Sequence, residues 1–247
     1  MITTPDIQPT SLSPHEPAPA ATGTVDLCQL SRPVLTRMAK AGDAVMEWHN
    51  VLHKSRDSIV GYLLNGLDAP EDWTHVPDGD VVDQGTGSQY FFHRHAEAPD
   101  DPHDDEIGHF HCFVHAPSIT GHTVDFEPAP GALGHSLGHC VAAGTDGLGG
   151  HGISHLVAIS IDALGLPSRM FTTNRWVTGE TWRPAKAMVP MIDQFAITHG
   201  QPNFIVNQWL TEMIRLFRPQ IIALLEQRDL RLEAVSNKPL ATTLIDH

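Results

Sequence analysis

Two segments of this chain, 88–95 and 107–114, alternate in side-chain character with a period of two, the pattern of paired β-strands whose faces differ in chemistry. In a strand, residues i and i+2 project to the same side. Phe91, His93 and His95 share a side of the first segment. In the second, Ile107, His109, His111 and Phe113 share one side, while Phe110, Cys112 and Val114 fill the other. An antiparallel pairing with His95 opposite His109 sets His93 opposite His111, with facing Cβ atoms about 4.5–5.5 Å apart. Four imidazoles on one patch suit an ion bound through nitrogen at about 2.0–2.1 Å. A slip of one residue would send one pair to the other face.

With 17 histidines among 247 residues, chance alone supplies about one His-x-His pair, so a single pair would carry little weight. What makes the two pairs an expected metal centre is the apolar opposite face of the second strand. The expected ligands are His93, His95, His109 and His111, with His155, which opens the next strand, as a further one. The acidic stretch 96–108 ends beside Glu106, read as a carboxylate ligand or general base, with a solvated turn as the alternative. His115 lies about 13 Å along the strand from His111, too far to share their ion. His49 and His53 read as a solvated helix face, and His135, His139 and His151 as loop residues.

Helices frame the hairpin. One helix, or a kinked pair, follows an N-cap at Ser31 with Pro33 in its first turn and ends near Asn65-Gly66. Residues 68–87 read as loop. His155 to Asp162 is strongly β-forming, and Met170 to Val177 is its partner across a Gly165-Leu166-Pro167 turn. Ala185–Ile197 and Phe204–Phe217 read as helices, with a continuation over Ile221–Gln227 beyond Pro219. The expected class is α+β, a central antiparallel sheet or partial barrel flanked by N-terminal and C-terminal helices. Residues 1–24 read as a disordered tail. Residues 25–231 form a single domain with a Gly/His-rich loop near 117–152, and 232–247 are a second tail.

The formal charge of −14 disfavours nucleic acid and anionic membrane surfaces as partners. Cys28, Cys112 and Cys140 form no CxxC pair, which fits neither a thiolate zinc site nor a disulfide framework and favours a reducing cytoplasm. There is no apolar run of about 18 residues and no signal-peptide pattern at the start.

Ser88–His95, Glu106–His111, His155–Asp162 and above all Phe171–Glu180 (Phe-Thr-Thr-Asn-Arg-Trp-Val-Thr-Gly-Glu) resemble a bacterial protein family without an assigned activity. The resemblance spans roughly residues 35–230, and the Gly-rich stretch near 131–150 stands as an insertion against it. It implies a shared pattern and no mechanism. Within Phe171–Glu180, Arg175 is a fixed cation able to clamp a carboxylate bidentately. Asn174 and Thr178 offer hydrogen bonds, and Trp176 an apolar wall. A brace between Arg175 and Glu180 is the structural alternative.

The leading expectation is a metalloenzyme holding iron, copper or zinc, with Glu106 and Arg175 as catalytic groups and Asn174, Arg175 and Trp176 against a small carboxylate-bearing substrate. Iron or copper would make it an oxidoreductase. A non-catalytic metal- or haem-binding protein and a metal-free small-ligand binder stay open beside it, as does a homo-oligomer.

Overall fold

The first helix, α1 (Arg32–Lys54), buries Met38, Ala41, Val45 and Leu52 along one stripe and carries a proline in its first turn. The chain breaks at Ser55–Ser58 and restarts as α2 (Ile59–Leu64), where the Ser58 hydroxyl accepts from the Gly61 amide. Asn65 closes it in the left-handed conformation at φ +48°. The expected kinked pair is thus two helices. A computed structural model describes residues 25–65, 70–94, 106–115, 152–173 and 180–236.

Five strands follow: β1 (Val76–Asp83), β2 (Ser88–His93), β3 (Glu106–His115), β4 (Ile153–Asp162) and β5 (Pro167–Phe171). They form one open antiparallel sheet in the order β1-β2-β3-β4-β5, each strand beside its neighbour in sequence. The α+β class holds, and the sheet is not closed into a barrel.

β1 corrects the reading of residues 68–87 as loop. Pro77, Gly79 at φ +80° and Asp80 at φ +58° hide it, because they break the alternation that marks a strand. Pairing with β2 jumps from Val76–Phe92 to Val81–Tyr90 across that irregularity. An outer strand tolerates it, since one row of its backbone groups needs no ladder partner. β5 begins three residues before the expected Met170, directly after the turn at Gly165.

Among the described residues three helices follow the sheet: α3 (Ala185–Gln194), α4 (Phe204–Leu216) and α5 (Arg218–Ser236). α3 stops short of Ile197 because the following residues are drawn to the β1–β2 turn. Ala196 bonds Ser88 and Thr86, and the amide and hydroxyl of Thr198 both donate to Asp83. α5 continues through residues 232–236, where a tail was expected; Leu230 to Val235 contains only residues compatible with a helix and no breaker.

All five helices share one core with one face of the sheet. Tyr90, Phe92, Phe110, Cys112, Val114, Leu156, Val157, Ile159 and Ile161 pack there against Val45, Leu63, Met188, Trp209, Leu210 and Leu225. The opposite face carries Phe91, His93, His109, His111 and Phe113, all buried but outside that cluster. Among the described residues, no helix is long and apolar enough to cross a membrane.

Candidate metal centre

The register of β2 against β3 differs from the expected one by two residues. His93 faces His109, and Phe91 faces His111. A shift of two keeps every side chain on its own face, so the histidines still meet. His93, His109 and His111 form a buried group whose ligand atoms lie within 4.8 Å of one another. The Nε2 atom of His93 is 2.8 Å from Nε2 of His109 and 3.2 Å from Nε2 of His111. His95 lies outside the described residues.

Those spacings fit one ion. With metal–nitrogen bonds of about 2.0–2.1 Å, the two separations require N–metal–N angles of about 85° and about 100°. These are adjacent positions in an octahedral or distorted tetrahedral shell. The donors are all imidazole, which suits iron, copper and zinc and excludes none of the three.

Two residues support the converging histidines from behind, and a bulge delivers each. Strict alternation would put Glu106 on the helix-packed face with Gly108 and Phe110. Between β3 and β4, however, the pairing goes from Glu106–Asp162 to Gly108–Ile161, so Ile107 is an extra residue. Glu106 is thereby turned toward His109, its Oε1 lying 2.5 Å from Nδ1 of that ring. Its other oxygen accepts from Nη2 of Arg169 at 2.7 Å. Burial raises the Glu106 carboxyl, but the hydrogen bond and charge of His109, the Ser160 hydroxyl and the Arg169 guanidinium outweigh it and hold the group below its usual range. Glu106 therefore stands as an ionised partner of His109.

His155 repeats the device. It has the parity of Val157, Ile159 and Ile161, which belong to the helix-packed face. A second irregularity pairs Val157 with Cys112 but His155 with Phe113, so Leu156 is the extra residue and His155 crosses to the histidine face. There its Nε2 lies 3.0 Å from Nδ1 of His111. It thus sits behind His111 and outside the converging group of His93, His109 and His111. Burial, with the charges of Arg228 and His109, pushes its pKa down to about 3, which keeps the ring neutral. Its backbone amide donates to Glu180, so Glu180 anchors β4.

Aromatic rings wall the group. Phe171 stands edge-on to His109 at 5.2 Å, Trp73 edge-on to His93 at 5.9 Å, and Phe91 lies 5.0 Å from His111. Arg169 lies over Phe171 at 4.8 Å and reaches Ser160 as well as Glu106. On the same face His75 stacks on Phe91 at 3.6 Å and bonds Asp80 at 2.9 Å. Asp80 also accepts from Gln89, whose carbonyl oxygen meets His115.

Sequence reasoning missed Arg169, Ser160, Phe171, Trp73 and His75. For Ser160 a signal existed: Ala158, Ser160 and Asp162 alternate with Val157, Ile159 and Ile161, which marks a strand with one small or polar face. Asn174, Arg175 and Trp176 lie outside the described residues, as do His135, His139 and His151. His49 is no solvated residue; it accepts from the indole of the buried Trp209 at 3.1 Å.

No curated protein and no solved structure is significantly similar to the chain. Residues 39–247 match the family described as Domain of unknown function (DUF6969), a span that includes the hairpin, both bulges and all three converging histidines. The chain belongs to that family.

Proposed function

We propose that this protein is a metal-dependent enzyme built on a mononuclear centre of His93, His109 and His111. The observation that carries the reading is the convergence of three Nε2 atoms with one of the rings, His109, held through its Nδ1 by an ionised carboxylate. A carboxylate behind a metal-bound imidazole fixes its tautomer and strengthens it as a donor. Three protein ligands are the number found in catalytic sites, where a further position is left for water or substrate, whereas structural sites carry four.

The donor set supports iron or copper and hence an oxidoreductase, with zinc as the remaining fit. It favours a bare ion over haem, because two axial ligands of a haem iron stand on opposite sides, about 4 Å apart given bonds of 2.0–2.1 Å. The separations of 2.8 and 3.2 Å between His93 and its two neighbours are those of neighbours in one shell. The substrate in this reading is a small carboxylate-bearing molecule, with Arg175 as its clamp. In this reading Glu106, hydrogen-bonded to His109 and Arg169, serves as an orienting group. The near-complete burial of all three ligands favours a second reading, a closed centre for storage or sensing.

Metal analysis of tag-free protein, offered iron, copper, zinc and cobalt in turn, tests the centre. One equivalent per chain is expected, falling to background in His109→Ala and His93→Ala. Failure of every metal to bind refutes the reading. Azide added to the copper- or cobalt-loaded protein then separates enzyme from closed binder. A shifted visible spectrum marks an open position, and an unchanged one selects storage or sensing.

A further inference from the structure

We propose that His155 is a positioning residue, accepting the Nδ1 proton of His111 and so holding that ring in the tautomer whose Nε2 can bind metal. The inference rests on the three-histidine reading and adds to it a specific job for a residue outside the ligand set.

A neutral imidazole carries one proton and one ring lone pair, and which nitrogen holds which is set by the partner of the other. His111 presents Nε2 to the other two ligands. For that atom to give its lone pair to an ion, the proton must sit on Nδ1. The partner there, 3.0 Å away, is Nε2 of His155. His155 must therefore accept at Nε2 and keep its own proton on Nδ1. Both rings are 1% exposed, so water does not take the place of this contact.

Three features hold His155 to the task. The bulge at Leu156 turns it onto the histidine face. Glu180 receives its backbone amide. Phe113 stands edge-on to its ring at 5.1 Å. The two supported ligands thus differ in kind. His109 is backed by a carboxylate, which Arg169 also pairs, and His111 by a neutral ring.

The test uses the full-length, tag-free protein with cobalt(II) as the probe and two variants, His155→Gln and His155→Leu. Gln offers an amide oxygen as acceptor; Leu offers none. His155→Leu should weaken cobalt binding about 10–100-fold and move the visible bands, while His155→Gln stays within about threefold of the parent. This difference should not follow the melting temperatures of the two metal-free variants. Equal losses in Gln and Leu, or parent-like affinity in Leu, overturn the proposal. Should Leu fail to fold, nitrogen-15 imidazole spectra of the zinc-loaded parent decide. A proton on Nδ1 of His155 supports the assignment, and one on Nε2 refutes it. If the parent takes iron or copper but not cobalt, the same comparison is made with that metal; if it binds none of iron, copper, zinc and cobalt, the metal reading itself fails, and the variants play no part in that result.

Discussion

Replacing Gly108 with alanine tests whether the first bulge is what assembles the centre. Gly108 has φ +146°, a backbone conformation that L side chains rarely adopt. A Cβ there would stand 2.5 Å from Cζ of Phe92, 2.6 Å from the carbonyl oxygen of His93 and 3.0 Å from Cε2 of Phe92. Neither neighbour yields easily. Phe92 is buried in the core, and His93 is a paired strand residue. Backbone strain of about 1–3 kcal/mol and overpacking of about 1–3 kcal/mol together give a loss of about 2–6 kcal/mol. For a chain of this size each kcal/mol lowers the melting temperature by about 2–4 °C, so a fall of about 4–24 °C is expected. Urea unfolding of the metal-free protein measures the loss without any contribution from bound metal. Cobalt affinity should fall in parallel, since Glu106 and His93 flank the site of the clash. A loss below about 1 kcal/mol with unchanged cobalt binding would show that the bulge relaxes freely and that the argument from Gly108 is wrong.

Gly42→Ala should do the opposite. Its Cβ would meet Leu216 at an ordinary 3.5 Å within α1, so urea unfolding should show a gain of about 0.5–1 kcal/mol. Glu106→Gln keeps the side-chain shape and loses the charge behind His109; cobalt titration should show affinity about 10–100-fold lower. Asp83 provides a pH test. Burial raises its carboxyl, but bonds from the Thr198 hydroxyl and amide and from the Thr86 and Gly85 amides outweigh this and leave it lowered. A lowered folded-state pKa contributes stability that is present above the unfolded value, about 3.9, and is lost as pH falls through the folded value. Asp83→Asn should therefore melt below the parent at pH 7, with the gap closing under acid; a gap independent of pH would refute this.

Most of the fold could be read along the chain because its segments repeat strongly. Met38, Ala41, Val45 and Leu52 have helical spacing, and Phe110, Cys112 and Val114 have strand spacing. β1 was illegible because Pro77, Gly79 and Asp80 mimic a loop, and only pairing with β2 makes the segment a strand. The three-histidine cluster was legible for a particular reason: an even register shift leaves faces unchanged, so the expected pairing could be wrong in detail and the histidines still meet. The support was not legible in the same way. Glu106 and His155 were marked as near the centre, but alternation assigns both to the opposite face. Only the extra residues Ile107 and Leu156 reverse that, and a bulge is visible only once two strands are aligned. Arg169 sits 63 positions from Glu106, and no local pattern links them.

The three converging histidines all belong to β2 and β3, while much of what steadies them comes from farther along: Glu106 lies on β3, but His155 is on β4, Arg169 on β5 and Glu180 beyond. A chain emerging from the ribosome therefore presents all three donors before β4 exists. Closing a short hairpin costs little entropy compared with the long connection that precedes β4. An ion captured at that stage would staple β2 to β3 ahead of the helical core, in a loose grip that tightens only when the later strands arrive. Under the metal reading, metal supply during synthesis, and not only in the finished protein, would then govern how much folded material a cell obtains.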